Sequence, residues 1–336
     1  MKHAPLTRGV KSKVLAVSWC VRVMARFGLF VALIAATGCT GLAPAAVNQG
    51  QVGPPIGQTA VAAGSSPTKS ILPNARDSVK FLVIGDSGTG DRNQLEVAAR
   101  IVEAHERFPF PRALMLGDNI YGSSNAAAYR NKFERPYAAL LEAGVKFYAS
   151  LGNHDNASQR FYERFNMDGK RYYSYGTDDV RFFALDSTYM NAQQLKWLEN
   201  ELSGSTEKWK IAYMHHPMYS SGMRHGATVP LRTAAEPLFL KYGVDVVFAG
   251  HEHFYERMRP QGGITYITQG GSAKLRRGNI RKNSEITAAG FDTDRSFTLA
   301  EIVGDRMYLE TISRMGAVVD ATVITRREAA QSSSSD

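Results

Sequence analysis

The sequence predicts an α/β domain in which mixed β-sheets carry helices on their outer faces. Val79 to Ile84 is apolar and rich in β-branched and aromatic residues, which indicates a buried strand. Asn93 to Glu106 then places apolar residues at helical spacing. Because strand, loop and helix recur in this order, the pattern favours sheets with helices packed outside them.

The remaining elements follow the same logic along the chain. Further core strands are predicted at residues 113–116, 146–150, 210–214 and 244–249, with helices around 129–141 and 232–242. Shorter alternating segments predict antiparallel strands at 171–175, 180–185, 264–268, 297–303 and 307–312. Since core strands that alternate with helices and shorter antiparallel strands are both expected, the sheets are predicted to be mixed.

Composition excludes several classes of protein. Hydrophobic residues make up 44% and charged residues 21% of the 336 residues, which excludes global disorder. The formal net charge is +9, but residues 1–39 hold six basic and no acidic residues, so the remainder carries 34 basic against 31 acidic residues. This near balance argues against a polyanionic partner, and no nucleic acid is expected.

The two cysteines, Cys20 and Cys39, both lie near the N-terminus. The rest of the chain therefore contains no thiol, which excludes a disulfide, a cysteine metal site and cysteine catalysis there.

The first 39 residues resemble an export signal. A basic stretch precedes an apolar run from Phe27 to Ala36, which is shorter than the roughly 20 residues that a membrane span needs. Small residues before Cys39 resemble a bacterial lipoprotein signal, in which the cysteine is lipidated; an ordinary secretory signal cut near Ala46 is the alternative. A start at Met24 instead of Met1 gives a signal of ordinary length. Either signal predicts export, to the periplasm or cell envelope as a lipoprotein or otherwise by secretion.

The domain organisation predicted after the signal is simple. Residues 40–77 are rich in Gly, Pro, Ser and Ala and are predicted to form a flexible linker. Residues 78–325 form the single catalytic domain, and residues 326–336, which end in four serines and an aspartate, are predicted to be a disordered tail.

Polar side chains follow five of the predicted strands. The blocks are Gly85-Asp86-Ser87-Gly88, Gly117-Asp118-Asn119-Ile120-Tyr121, Gly152-Asn153-His154-Asp155, His215-His216-Pro217 and Gly250-His251-Glu252-His253. Ligands of open α/β sheets bind outside the carboxyl ends of the strands, so these loops are expected to converge on one site. The glycines beside the ligands are expected to let the backbone turn and approach closely.

The chemistry of these blocks predicts a metal centre. Oxygen and imidazole ligands without sulfur suit hard and borderline divalent or trivalent ions. The number of ligands is enough for two ions, and paired ions about 3.5–4 Å apart are common in phosphoryl transfer.

This ordered set of motifs resembles the calcineurin-like metallophosphoesterases, and Tyr121 makes it similar to their purple acid phosphatase branch. The resemblance runs from about Lys80 to His253 and implies a four-layer αββα sandwich of two mixed sheets flanked by helices. It also implies a cofactor of two metal ions, Fe(III) plus a divalent ion (Fe, Zn or Mn).

The resemblance assigns a role to each ligand. Asp86, Tyr121 and His253 would bind the first metal, Asn153, His215 and His251 would bind the second, and Asp118 would bridge them. His215 is preferred to His216 because the family places its ligand two residues before proline. A phenolate is a hard ligand that suits a trivalent ion.

Two further histidines are implied in catalysis and substrate binding, together with Asn153. His154 resembles the family histidine that contacts the phosphate and protonates the leaving oxygen, and His225 stands in a loop where the purple enzymes carry a second acid. A surface-loop role for His225 remains an alternative. Residues 274–282 hold five basic residues, which fit either a solvated loop or steering of an anionic substrate.

The predicted function is an exported phosphatase that hydrolyses small phosphomonoesters by metal-hydroxide attack, of the acid phosphatase type. The first alternative is a phosphodiesterase or nucleotide hydrolase, because this fold hosts both activities. The second is a non-catalytic binding module. A membrane contact is expected only through a lipid on Cys39.

Overall fold

The structure is a computed structural model that describes residues 70–327. The strands in chain order are β1 (Val79–Ile84), β2 (Arg112–Leu116), β3 (Lys146–Ser150), β4 (Tyr173–Thr177), β5 (Val180–Ala184), β6 (Trp209–Met214), β7 (Val246–Ala249), β8 (Tyr255–Met258), β9 (Thr265–Gln269), β10 (Thr287–Phe291), β11 (Ser296–Val303), β12 (Arg306–Ser313) and β13 (Val318–Thr325). The α-helices are α1 (Arg92–Arg107), α2 (Ala126–Tyr129), α3 (Ala138–Glu142), α4 (Ala192–Gly204) and α5 (Val229–Tyr242).

The strands form two sheets, which confirms the predicted fold. The first sheet has the order β13-β12-β11-β1-β2-β3, and the second has the order β10-β8-β9-β7-β6-β5-β4. In the first sheet β1, β2 and β3 are parallel, while β11 pairs antiparallel with β1. Both sheets are therefore mixed.

Two strands differ from the predicted antiparallel assignment. β5 pairs antiparallel with β4 but parallel with β6, and β9 pairs antiparallel with β8 but parallel with β7. Alternation of side chains reports burial on one face and does not report the direction of a neighbouring strand, so the sequence pattern could not distinguish the two pairings.

The sheets pack face to face through aromatic side chains. Phe81 of β1 lies edge-on against Phe182 of β5 and Phe248 of β7, with ring centroids 5.4 and 6.1 Å apart. A separate core on the opposite face of the second sheet joins Phe183 of β5 to Leu198 of α4 and to other buried residues. Helix α1 covers the outer face of the first sheet through residues such as Ile101. These contacts produce the four layers.

The helix predicted around residues 129–141 is wrong as a continuous element. The chain instead forms α2, a π-helical turn at Arg130–Glu134 and then α3. Pro136 lies between the last two and has no backbone N–H to donate, so the helical ladder breaks there. Helix α4 and strands β8, β10 and β13 were not predicted.

Helix α5 begins earlier than predicted, at Val229, with Pro230 in its first turn. Proline suits this turn because its missing N–H has no helical partner there. Gly243 ends the helix with φ of 74°, a left-handed conformation that favours glycine.

Part of the predicted linker packs against the domain. The backbone N–H groups of Asn74 and Ala75 donate to the Glu301 carboxylate of β11 at 2.7 Å each, and the N–H of Ile71 donates to Glu310 of β12. Residues 71–75 of the predicted linker therefore contact the domain, N-terminal to the predicted boundary at residue 78. The signal, Cys39 and most of the tail lie outside the described residues, and within residues 70–327 no helix combines the length and hydropathy of a membrane span.

Candidate metal centre

The predicted ligands come from the carboxyl ends of parallel strands in both sheets. Asp86 follows β1, Asp118 follows β2 and Asn153 follows β3, while His215 follows β6 and His251 follows β7. Because the sheets face each other, these loops meet at one edge of the sandwich, as expected for this type of sheet.

The ligands predicted for the first metal, here called the first-metal group, lie within hydrogen-bonding range of one carboxylate. The Tyr121 hydroxyl donates to Asp86 Oδ1 at 3.1 Å, and His253 Nε2 lies 3.3 Å from the same oxygen. Asp86 is fully buried. The Tyr121 phenol and the His253 imidazole therefore both lie beside the same carboxylate oxygen of Asp86.

The ligands predicted for the second metal, here called the second-metal group, converge in the same way. His215 Nε2 lies 2.9 Å from Asn153 Oδ1 and 3.1 Å from His251 Nδ1. The other ring nitrogen of His215 lies 2.8 Å from the Leu116 carbonyl, to which it can only donate. His215 Nε2 then carries a lone pair in the neutral ring, which leaves it free to bind a metal.

Asp118 lies between the two groups. Its Oδ1 is 3.5 Å from His215 Nε2 and accepts a hydrogen bond from the His154 N–H at 3.0 Å. Ligand atoms of Asp86, Asp118 and His215 all lie within 4.8 Å of one another, and all three residues are buried. The position is the one that a bridging carboxylate requires, and bridging itself stays a prediction.

The backbone at three of these ligands is in the left-handed region. Asp86, Asp118 and His251 have φ of 54, 52 and 69°. Such conformations cost about 1–3 kcal/mol each in non-glycine residues and cluster at functional sites.

The neighbouring glycines serve close approach more than turning. Gly117 has φ of 84°, but at Gly152 the need is space, because an added Cβ would lie 2.2 Å from Asp118 Oδ1. The close approach expected from the sequence is therefore one between the backbone of Gly152 and the carboxylate of Asp118.

The electrostatics of the centre fit bound cations. Burial raises the pKa of Asp86 to about 8, because it disfavours the ionised carboxylate. A nearby positive charge would stabilise that ionised form. Burial also lowers the pKa of His251 to about 2 and that of His253 to about 4, so both imidazoles are neutral and able to bind metal. The donor set and its buried charge therefore fit two metal ions.

Both candidate acid histidines lie beside the centre. The His154 ring is 5.2 Å from the Tyr121 ring, and the His225 ring is 4.3 Å from the His251 ring. Both side chains are exposed. His154 therefore lies beside the first-metal group, and His225 lies beside the second-metal group.

His216 also lies near the second-metal group. Its ring is 4.4 Å from the His251 ring, and its nitrogens come within 4.8 Å of those of His215 and His251. However, its Nδ1 lies 2.9 Å from the Ser187 hydroxyl, and only His215 directly neighbours both Asn153 and Asp118. This arrangement favours His215 as the ligand.

Asp155 holds the ligand loops together, a role the sequence analysis did not assign. Its carboxylate accepts hydrogen bonds from the backbone N–H groups of Asn119, Ile120 and Gly152 at 2.9–3.1 Å. It thereby ties the loop after β2 to the loop after β3. Its place within the Gly-Asn-His-Asp block was the only sequence signal.

Glu252 organises the opposite side of the centre. This buried carboxylate accepts from the N–H groups of His225 and Gly226 at 3.1 and 2.7 Å, and from the Asn279 amide at 3.0 Å. The residue between the two predicted ligands His251 and His253 therefore fixes the loop that carries His225. Its position between two histidines was again the only clue.

The sequence of the chain matches a family model and several known proteins. Residues 79–255 match the family model described as calcineurin-like phosphoesterase. The chain is 29% identical over 241 residues to purple acid phosphatase 17 of Arabidopsis thaliana, which covers 60% of this chain and 71% of that protein. It is 48% identical over 79 residues to the Fe(3+)-Zn(2+) purple acid phosphatase 12 of Arabidopsis thaliana, covering 22% and 16%.

The fold also matches a solved structure. GAP50, described as the anchor in the inner membrane complex of Plasmodium, aligns with a TM-score of 0.67 at 18% identity, covering 75% of this chain and 90% of that chain. At this identity the match concerns the fold alone.

These matches confirm the predicted superfamily, its purple acid phosphatase branch and the enzyme class of metal-dependent phosphoric ester hydrolases. Because the family model covers more than half of the 336 residues, the chain belongs to the calcineurin-like phosphoesterase family.

Proposed function

We propose that this protein is an exported phosphatase with two metal ions, which hydrolyses phosphomonoesters in the manner of an acid phosphatase. The observation that carries the proposal is the convergence of two ligand groups on either side of Asp118, at 2.9–3.5 Å between neighbouring ligand atoms. Purple acid phosphatase relatives support the same class of reaction.

The first-metal group would hold Fe(III), and the second-metal group would hold a divalent ion such as Fe, Zn or Mn. The name of the Fe(3+)-Zn(2+) relative supports this pairing. Bound there, the two ions would supply an activated water and stabilise negative charge on the phosphoryl oxygens.

The chain's own residues would complete the reaction. His154 is exposed beside Tyr121, so a phosphate ester at the centre can receive a proton from its imidazole on the leaving oxygen. His225, fixed through its backbone to Glu252, would orient the phosphate from the opposite side. Asp155 and Glu252 would keep these loops in place through the hydrogen bonds that they accept from backbone N–H groups.

The export part of the proposal rests on residues 1–39. A lipid on Cys39 would attach the domain to the cell envelope, with the predicted linker after it as a spacer. Metabolic labelling with a fatty acid tests this: wild type should be labelled and Cys39→Ser should not. Secreted, unlabelled wild type would favour the ordinary signal.

Hydrolysis assays test the enzymatic part. The full-length protein is purified, loaded separately with iron, zinc and manganese, and assayed against p-nitrophenyl phosphate and bis(p-nitrophenyl) phosphate across pH. We expect faster cleavage of the monoester, at acidic pH and with iron present. A preference for the diester would indicate the phosphodiesterase alternative.

A loss of all turnover under every metal would overturn the phosphatase and favour a binding module. Metal analysis of the same samples separates an inactive, loaded protein from one that failed to load.

A further inference from the structure

An open groove lies between helix α4 and strand β4, the edge strand of the second sheet. Its volume is about 670 Å³, within the range of about 300–1,000 Å³ that small-molecule sites occupy. Ser174 lines it from β4, and Trp197 and Glu201 line it from α4. None of the predicted metal ligands and neither candidate acid histidine lines this groove, here called the aromatic groove (residues 170–174, 181, 191, 193, 197 and 201).

A short series of contacts leads from the aromatic groove to the metal centre. Arg171, which lines the groove, donates from Nε to Asp186 Oδ2 at 2.7 Å. The next residue, Ser187, has its hydroxyl 2.9 Å from Nδ1 of His216, whose ring lies 4.4 Å from the His251 ring. Along this series Asp186 and Ser187 stand between the groove and the second-metal group, so a ligand in the groove would lie outside the centre.

Two aromatic side chains give the groove its apolar surface. The rings of Tyr172 and Trp197 have centroids 4.9 Å apart, and their planes meet at 50°. Both side chains are only partly buried, so ring surface remains open to a ligand. Aromatic faces carry partial negative charge, which favours contact with the weakly positive C–H groups on one face of a sugar ring.

The charges of two guanidinium groups in the groove are compensated by its own surroundings. Arg171 forms an ion pair with Asp186, and Arg181 forms one with Glu201 at 3.1 Å. Arg181 also donates to the Ser174 hydroxyl at 2.8 Å. These pairs leave little net charge for a small ion, which favours a neutral polar ligand.

Two exposed amide side chains supply hydrogen-bonding groups for such a ligand. Asn191 uses its Oδ1 to accept the Gln194 N–H at the start of α4, which leaves its two N–H donors available. Gln193 makes no side-chain hydrogen bond to any residue of the range 70–327. An amide offers both donors and an acceptor, and a sugar hydroxyl can use either.

We propose that the aromatic groove binds a saccharide, with its sugar rings against Tyr172 and Trp197 and its hydroxyls on the amides of Asn191 and Gln193. Such binding would hold the protein on a glycan and leave the metal centre free, because the two share no residue. The site goes beyond the proposed function and does not depend on turnover.

Calorimetry of the full-length protein with cellohexaose, xylohexaose and chitohexaose tests the site. We expect wild type to bind at least one of these neutral oligosaccharides. Trp197→Ala should weaken that binding about tenfold or more, because it removes one of the two ring surfaces, and Trp197→Phe should retain most of the affinity. The melting temperature of each variant checks that it is folded.

Lys196→Ala is the matched control, because Lys196 is exposed on α4 and does not line the groove. It should bind the oligosaccharides as wild type does. Fluorescence provides a second readout that needs no alanine variant: Trp209 is buried, so the saccharide should change the emission of Trp197. That change should be absent in Trp197→Phe.

Two results would overturn the saccharide site. The first is that wild type binds none of the three oligosaccharides. The second is binding that is lost in Lys170→Ala but kept in Trp197→Ala, since Lys170 is an exposed cation of the groove and this pattern identifies an anion site. Calorimetry needs no hydrolysis, so an inactive protein that binds saccharide contradicts the proposed phosphatase and leaves the groove assigned.

Discussion

The two ligand groups of the centre differ in charge and in exposure. The first-metal group contains the carboxylate of Asp86 and the phenol of Tyr121, both able to supply a negative oxygen. The second-metal group contains an amide oxygen and two imidazoles, which are ligand types that bind a metal without negative charge. Hard anionic oxygens suit a trivalent ion and neutral nitrogen ligands suit a divalent one. If the predicted assignment holds, the sandwich would provide two unlike sites on either side of Asp118.

Exposure strengthens the contrast. Asp86 lies fully buried, whereas Asn153 of the second-metal group is exposed to solvent. An ion held in part by an exposed neutral ligand should exchange more readily than one held by a buried carboxylate. The second-metal group is therefore where the centre is expected to lose an ion first.

Asp118→Asn should weaken metal binding by both ligand groups, because it removes the negative charge that lies between them. An asparagine can still accept the hydrogen bond of the His154 N–H, so the loop should stay folded. We expect loss of both metals and a fall in kcat/KM of at least about 10³-fold. Metal content per chain and p-nitrophenyl phosphate hydrolysis measure this, with exposed Asp179→Asn as the control. Normal activity in Asp118→Asn would remove the two-metal assignment.

Asn153→Ala should separate the two groups. It removes one neutral ligand, so the divalent ion should be lost while the first ion stays. Turnover should fall about 10²-fold at trace zinc and recover partly in excess zinc, because added metal binds by mass action. Metal analysis before and after dialysis checks this, with Asn200→Ala on the exposed side of α4 as the control. Equal loss of both ions would contradict unequal sites.

The ligand loops were predictable because each follows a buried apolar strand and carries polar residues, with a glycine directly before the candidate ligand in four of the five loops. Strands β1, β2, β3, β6 and β7 are short, apolar and followed at once by candidate ligands, so local sequence indicates both the strand and the position of the ligand. The convergence of the loops then follows from the geometry of parallel strands.

The residues that hold the loops in place were not predictable in this way. Asp155 and Glu252 act through hydrogen bonds to backbone N–H groups of distant loops, and any residue can provide such a group. Their partners are fixed only by the fold. The pairing of residues 221–226 with 274–282 is hidden for the same reason.

Secondary structure outside the centre shows a similar limit. Strand β13 alternates in burial at the edge of the first sheet, and its exposed positions include Val318 and Val323. The hydrophobic pattern of this edge strand therefore indicates a strand less clearly than the patterns of the central strands of the sheet do. Helix α2, the π-helical turn after it and α3 are each only four or five residues long, and periodicity over a long window does not separate them.

Substitutions of His154 and His225 test which side of the centre donates the proton to the leaving oxygen. His154→Ala should lower kcat/KM by about 10²-fold, while His225→Ala should cost about tenfold. Partial desolvation of its exposed ring and the charge of Arg276 lower the pKa of His225, so its protonated form is less populated near neutral pH.

Leaving groups provide the readout. Loss of a proton donor matters more for an alkyl phosphate than for p-nitrophenyl phosphate, whose leaving oxygen needs little protonation. His154→Ala should therefore widen the gap between the two substrates, and His225→Ala should not. The reverse result would assign the donor to the side of His251.

Tyr121→Phe is expected to have the smallest effect on turnover and the clearest effect on the spectrum. The change removes one oxygen from the first-metal group and its 3.1 Å hydrogen bond to Asp86, but it keeps the ring against which His154 packs. We expect kcat/KM to fall by about tenfold or less. Visible absorption of the iron-loaded protein, which requires a phenolate bound to Fe(III), should disappear.

Tyr189→Phe is the control, because it deletes an exposed phenol that is not among the predicted ligands. Its spectrum and activity should match the wild type. If Tyr121→Phe kept the absorption, the phenolate would have to come from another tyrosine, and the first-metal group would lose the anionic oxygen that distinguishes it from the second. The centre would then be two similar sites, and the preference of one side for a trivalent ion would need another origin.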